Sequence, residues 1–99
     1  MKKLTAEDLR NLKVGTKVYR CTNRSFRGLN FVGIMQPADP NYLIFCDGEH
    51  LEHLYISRKD DSFHDTWYGG EYDSKFVGEL KIKQLEREIE NVKEIYIKD

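Results

Sequence analysis

The chain has 99 residues, with 16 Lys/Arg, 17 Asp/Glu and three His for a formal net charge of −1; 39% of it is hydrophobic and 12% aromatic. That length fits one domain, residues 1–99, burying roughly 65% of its unfolded surface, which leaves no room for a deep enclosed active site beside the core. The aromatic content excludes disorder. No apolar run approaches the ~18 residues of a membrane span, and the basic start lacks the apolar segment of a signal peptide, so a soluble, cytoplasmic chain is expected.

Thr5 reads as a helix N-cap, with Asp8 three residues on and Leu4 and Leu9 at hydrophobic-staple positions. This predicts a short N-terminal helix through about Leu12, turning Leu9 and Leu12 inward. After the break at 13–16, Val18 and Tyr19 open a first strand to about Thr22, followed by a turn at 23–25. Residues 26–35 form a long strand, with Leu29, Phe31 and Met35 on one face and Val32 and Ile34 on the other. Gly28 and Gly33 interrupt it and mark bulges or sharp coiling. Residues 36–41, with two prolines, read as a loop. Residues 42–46 form a buried strand. Asp47-Gly48 then predicts a two-residue type I′ hairpin that sets Phe45 opposite His50 and Ile44 opposite Leu51, the return strand running to about 57.

Residues 58–62 read as a charged loop and 64–74 as a turn-rich region around Gly69-Gly70. Residues 75–82 alternate as a strand would. Ile82, Leu85, Ile89 and Val92 keep helical spacing, which predicts a helix over 82–91 whose apolar stripe packs on the sheet. The β-branched alternation of Ile95 and Ile97 then predicts a last strand. The fold class expected is mainly β within α+β: a small, strongly bent antiparallel sheet or SH3-like barrel. It carries a short N-terminal helix and one C-terminal helix before the last strand.

Charge is segregated along this order. Residues 1–38 hold eight Lys/Arg against Glu7 and Asp8, and residues 39–73 hold nine carboxylates against Arg58 and Lys59. The two blocks can steer different partners or hold one another together in one fold.

Candidate chemistry is sparse. Cys46, His50 and His53 are the right residue types for zinc, but a strand spacing of three turns the two histidines to opposite faces, and structural zinc wants four ligands. No metal and no cofactor are expected. Cys21 and Cys46 read as reduced, small buried hydrophobes. His64-Asp65 is an acid/base pair in composition only, since adjacent extended residues diverge. No catalytic motif appears, and a small ribonuclease would carry more positive charge. The expectation is not an enzyme.

Two binding surfaces stand out. Arg20, Arg24 and Arg27 with Phe26 interleave cations and aromatics as nucleic-acid surfaces do, the alternative being that these arginines pair with the acidic block. The segment from His64 and Asp65 through Trp67, Tyr68, Glu71, Tyr72 and Asp73 combines interface-prone aromatics with acidic flanks, although Trp67 equally suits the centre of a small core. The expectation is therefore a small binding module. It would act by protein–protein contact on a partner with a basic site, in the manner of a phage- or mobile-element-encoded inhibitor or adaptor. A nucleic-acid binder is the alternative, and a binder of a small anionic, nucleotide-like ligand in a basic aromatic cleft the third.

Overall fold

The structure is a computed structural model that describes residues 1–22, 25–56 and 66–97. The predicted charged loop, and His64, Asp65 and Arg24, lie outside the described residues.

The elements in chain order are β1 (Lys2–Lys3), α1 (Ala6–Arg10), β2 (Lys17–Cys21), β3 (Phe26–Gln36), β4 (Asp39–Asp47), β5 (His50–Tyr55), β6 (Thr66–Gly69) and α2 (Ser74–Tyr96). The strands form one antiparallel sheet in the order β1-β6-β2-β3-β4-β5. Among the described residues no pairing joins β1 to β5, so the sheet is open and the protein is α+β.

The sheet is strongly bent. Trp67 on β6 and Phe45 on β4 lie three strands apart, about 14 Å in a flat sheet, yet their ring centroids are 4.8 Å apart. Val18, Leu29, Phe31, Leu43, Phe45 and Trp67 converge on the concave face, with Ile56, and α1 closes over them with Ala6 and Leu9. This helix has the expected capping box: Thr5 Oγ1 accepts from the Asp8 amide at 3.2 Å, and Asp8 accepts from the Thr5 amide at 2.9 Å. It stops at Arg10, with Asn11 as C-cap, two residues short of Leu12.

The predicted loop at 36–41 is mostly strand. Gln36 pairs with Asp39, leaving Pro37 and Ala38 as the turn, and Pro40 sits in β4. Its missing amide costs nothing there, because β5 pairs with β4 only from Tyr42 onward. Asn41 is instead a buried hub. Its Oδ1 accepts from Arg10 Nε at 2.7 Å, its carbonyl accepts from the Ile56 amide at 2.9 Å, and it is 1% exposed. The anticipated bulge is present: between the Phe31–Phe45 and Gly33–Ile44 pairs, Val32 is the extra residue. Beyond it Met35 is exposed, not on the core face with Leu29 and Phe31.

The β4–β5 turn is displaced by one residue from the expected one. Asp47 pairs with His50 and Phe45 with Glu52, so Gly48 and Glu49 are its central residues. Gly48 has φ +62° and Glu49 does not have a positive φ, which suits a type II′ turn with glycine first. The two-residue slip in partners leaves every side chain on its expected face.

The C-terminal third departs furthest. Residues 66–69, expected among turns, form β6 and insert between β1 and β2. Residues 75–82 are helical, as is the segment read as a last strand: α2 runs 23 residues without interruption. Asp73 caps it, accepting from the Lys75 and Phe76 amides at 3.0 and 3.3 Å. Once the cap is in place, Phe76, Val77, Leu80 and Gln84 recur on one helical face. They lie against the convex side of the sheet, where Phe76 meets Tyr68 with ring centroids 5.2 Å apart.

Candidate protein-interaction surface

Arg20 and Arg27 are cross-strand partners on the concave face, at the end not covered by α1. Asp47 and Glu52 reach them from β4 and β5. Glu52 takes Arg20 Nη1 at 2.6 Å and Arg27 Nη1 at 2.9 Å. Asp47 Oδ2 takes Arg27 through both Nε, at 3.1 Å, and Nη2. The Arg20 guanidinium lies 5.7 Å from the Trp67 ring centre, a cation–π distance. The hydrogen bonds that Arg27 donates to Asp47, above all, raise the Arg27 pKa above its ordinary value. The basic and acidic blocks of the sequence are thus joined to one another across the bent sheet. Phe26, the aromatic of that segment, is half-buried on the convex face, stacked on Tyr19 at 5.5 Å between centroids.

The acidic aromatic region is divided between the two faces. Trp67 is 1% exposed, a core residue with no surface to offer. Tyr68, one residue on, points to the convex face between Phe26 and Phe76, and its burial raises its phenol pKa. Asp73 is engaged as the α2 cap. Glu71 and Tyr72 are exposed, with the Tyr72 ring 5.7 Å from Tyr19.

Other candidate chemistry is not assembled. Among the described residues no three His, Cys, Asp or Glu gather as a metal site. Cys46 Sγ donates to the Gly48 carbonyl at 2.8 Å, and the His53 ring sits 6.0 Å from Tyr42. A basic aromatic cleft does exist between β2, β6 and α2, lined by Cys21, Thr66, Tyr68, Lys83 and Arg87, but its volume is about 110 Å³. Small-molecule sites usually occupy at least ~300 Å³. Gln84 reaches into this junction, donating from Nε2 to Cys21 Sγ at 3.2 Å and to the Thr22 carbonyl at 2.5 Å, and so locks α2 onto β2.

Beyond Gln84 every described residue of α2 is exposed. Leu85 is 57%, Ile89 54% and Val92 50% exposed. The stripe read from the sequence as a packed face therefore packs on nothing in the chain. From Gln84 to Tyr96 the helix continues about 18 Å past its last anchor. The molecule is accordingly long, 55 × 29 × 25 Å, with a radius of gyration of 15.8 Å where a compact domain of this size would have about 13 Å. Among the described residues no helix is long and apolar enough to cross a membrane.

Comparison of the chain with protein-family models, with curated proteins and with solved structures finds no match.

Proposed function

We propose that this chain is a non-enzymatic binding module that works by protein–protein contact, with the free half of α2 as its main contact face. The observation that carries this reading is the row of large apolar side chains, Leu85, Ile89 and Val92, held at half exposure or more on one continuous helix. An amphipathic helix owes most of its stability to covering its apolar face, and contiguous exposed apolar surface marks interaction sites. The bent sheet, proposed here as an SH3-like platform, supplies a rigid anchor for that helix. Glu71 and Tyr72, exposed just before its first turn, extend the contact surface and supply the acidic steering for a partner with a basic site.

The nucleic-acid reading draws less support, because Arg20 and Arg27 are committed to Glu52 and Asp47. The nucleotide-like ligand draws less support from a cleft of about 110 Å³. The test is photo-crosslinking in cells, with a photoreactive side chain at position 85 or 89 and a control at exposed position 14. Protein adducts from 85 and 89 well above the control are expected. Adduct levels equal to the control at both positions would refute the proposal.

A further inference from the structure

On the basis of that reading, we infer that the occupant of the α2 face is a second copy of this chain, joined to the first as a parallel two-helix seam. Ile82, Leu85, Ile89, Val92 and Tyr96 recur at intervals of three, four, three and four residues, the a and d positions of a coiled coil. Isoleucine stands at the a positions 82 and 89 and leucine at the d position 85, a combination that favours two strands. All five are 50–78% exposed.

The direction follows from the flanking charges. In a parallel pair each g residue faces the e residue five positions on in the partner. Here Lys81 at g would face the second copy's residue 86, a glutamate, and Glu88 at g its residue 93, a lysine. Both relations are attractive, and the twofold axis doubles each. An antiparallel pair would keep only the contact of Glu86 with Lys93. In the single chain Lys93 reaches Glu90 at 3.7 Å, an exposed pair with both side chains more than half accessible and hence weak enough to exchange.

The anchoring of α2 leaves the seam clear. Val77, Leu80 and Gln84 face the sheet, and at 100° per residue the stripe from 82 to 96 is centred about 125° round the helix from them. Two bodies can therefore sit at the same end, pointing outward. Upstream, Lys75 and Gly78 occupy the corresponding a and d positions, so the seam begins at Ile82 and is about 22 Å long. Two such stripes cover on the order of 1,000 Å², the threshold for a specific but weak interface. The anchored first half of α2 already nucleates the helix, so little further ordering opposes association. Leu85, Glu88, Ile89, Val92 and Lys93 already border one shallow groove, the arrangement that receives a knob from a facing helix.

The experiment is sedimentation equilibrium of the whole chain from micromolar to several hundred micromolar. A reversible dimer is expected, weakened at least ten-fold by Leu85→Glu. The charge swaps then read direction: Glu86→Lys alone weakens the dimer, and Lys81→Glu with Glu86→Lys restores it. Restoration by Glu86→Lys with Lys93→Glu instead would mean an antiparallel seam and overturn the parallel assignment. A monomer throughout that range would overturn the self-association. If the crosslinking adducts at 85 and 89 then carry a different protein, the binding-module reading stands without it; if no adduct forms, both fall.

Discussion

Asn41 holds three elements together, and its removal has a calculable consequence. The side chain is 1% exposed and accepts a 2.7 Å hydrogen bond from the Arg10 guanidinium, which ties α1 to β4. Its backbone bonds, to the Ile56 amide and from its own amide to Asp39 Oδ1 at 3.1 Å, survive substitution. Asn41→Ala thus deletes one charge-assisted bond, worth about 1.5–3 kcal/mol, and opens a small cavity. A loss of about 2–3 kcal/mol is expected, a sizeable share of the ~5–15 kcal/mol that holds a domain folded. Urea unfolding followed by the fluorescence of Trp67, the single tryptophan, should show the midpoint fall by about 1–2 M at unchanged slope. Asn41→Asp keeps shape and acceptor and should stay within about 1 kcal/mol of the parent at neutral pH. An alanine variant within about 0.5 kcal/mol of the parent, or an aspartate variant as unstable as alanine, would refute the reasoning.

The remaining predictions separate core, surface and charge. Phe45→Ala, at the centre of the ring cluster, should cost about 3–5 kcal/mol, whereas Leu85→Glu and Ile89→Glu should change the stability of dilute protein by no more than about 0.5 kcal/mol; denaturant curves on the three variants check this. The capping-box hydrogen bonds with Thr5 hold the Asp8 carboxyl below its ordinary 3.8. Their contribution is present above that value and disappears as pH falls below it, so Asp8→Asn should flatten the acid limb of a melting-temperature profile. Burial raises the Tyr68 phenol above its ordinary 10.0. Stability should therefore fall as pH rises past that value, and Tyr68→Phe should remove part of the fall. Mixed RNA should show no binding to the parent in a gel shift at about 50 mM salt, and Glu52→Ala with Asp47→Ala, which removes two carboxylates from beside Arg20 and Arg27, should create salt-sensitive binding.

Much of the sheet was legible in the sequence because its signals are local. The Thr5–Asp8 box, the alternation along β3, the bulge at Gly33 and the neighbourhood of the Gly48 turn all rest on contacts within a few residues. Pairing of Arg20 and Arg27 with the acidic block was foreseeable from charge segregation, although Glu52 as the shared partner needed the register of β4 and β5. Residues 75–82 misled because Phe76, Leu80 and Ile82 satisfy a period of two, whereas in the helix Phe76 and Leu80 share a face and Ile82 lies on another. The deciding group, the Asp73 carboxylate under the Lys75 and Phe76 amides, shows only when the cap is built. Ile95 and Ile97 misled through β-propensity, which an already nucleated helix overrides. The stripe from Ile82 to Val92 was visible throughout. Reading it as core assumed that the sheet lay beneath it, whereas Val77, Leu80 and Gln84 take that place.

The central claim is that α2 has an anchored half and a half that other protein covers. Residue-resolved amide exchange along α2, at micromolar and at near-millimolar concentration, tests it most directly. The account predicts constant protection over 76–84, with protection over 85–96 low in dilute protein and rising with concentration. Equal, concentration-independent protection along the whole helix would contradict it.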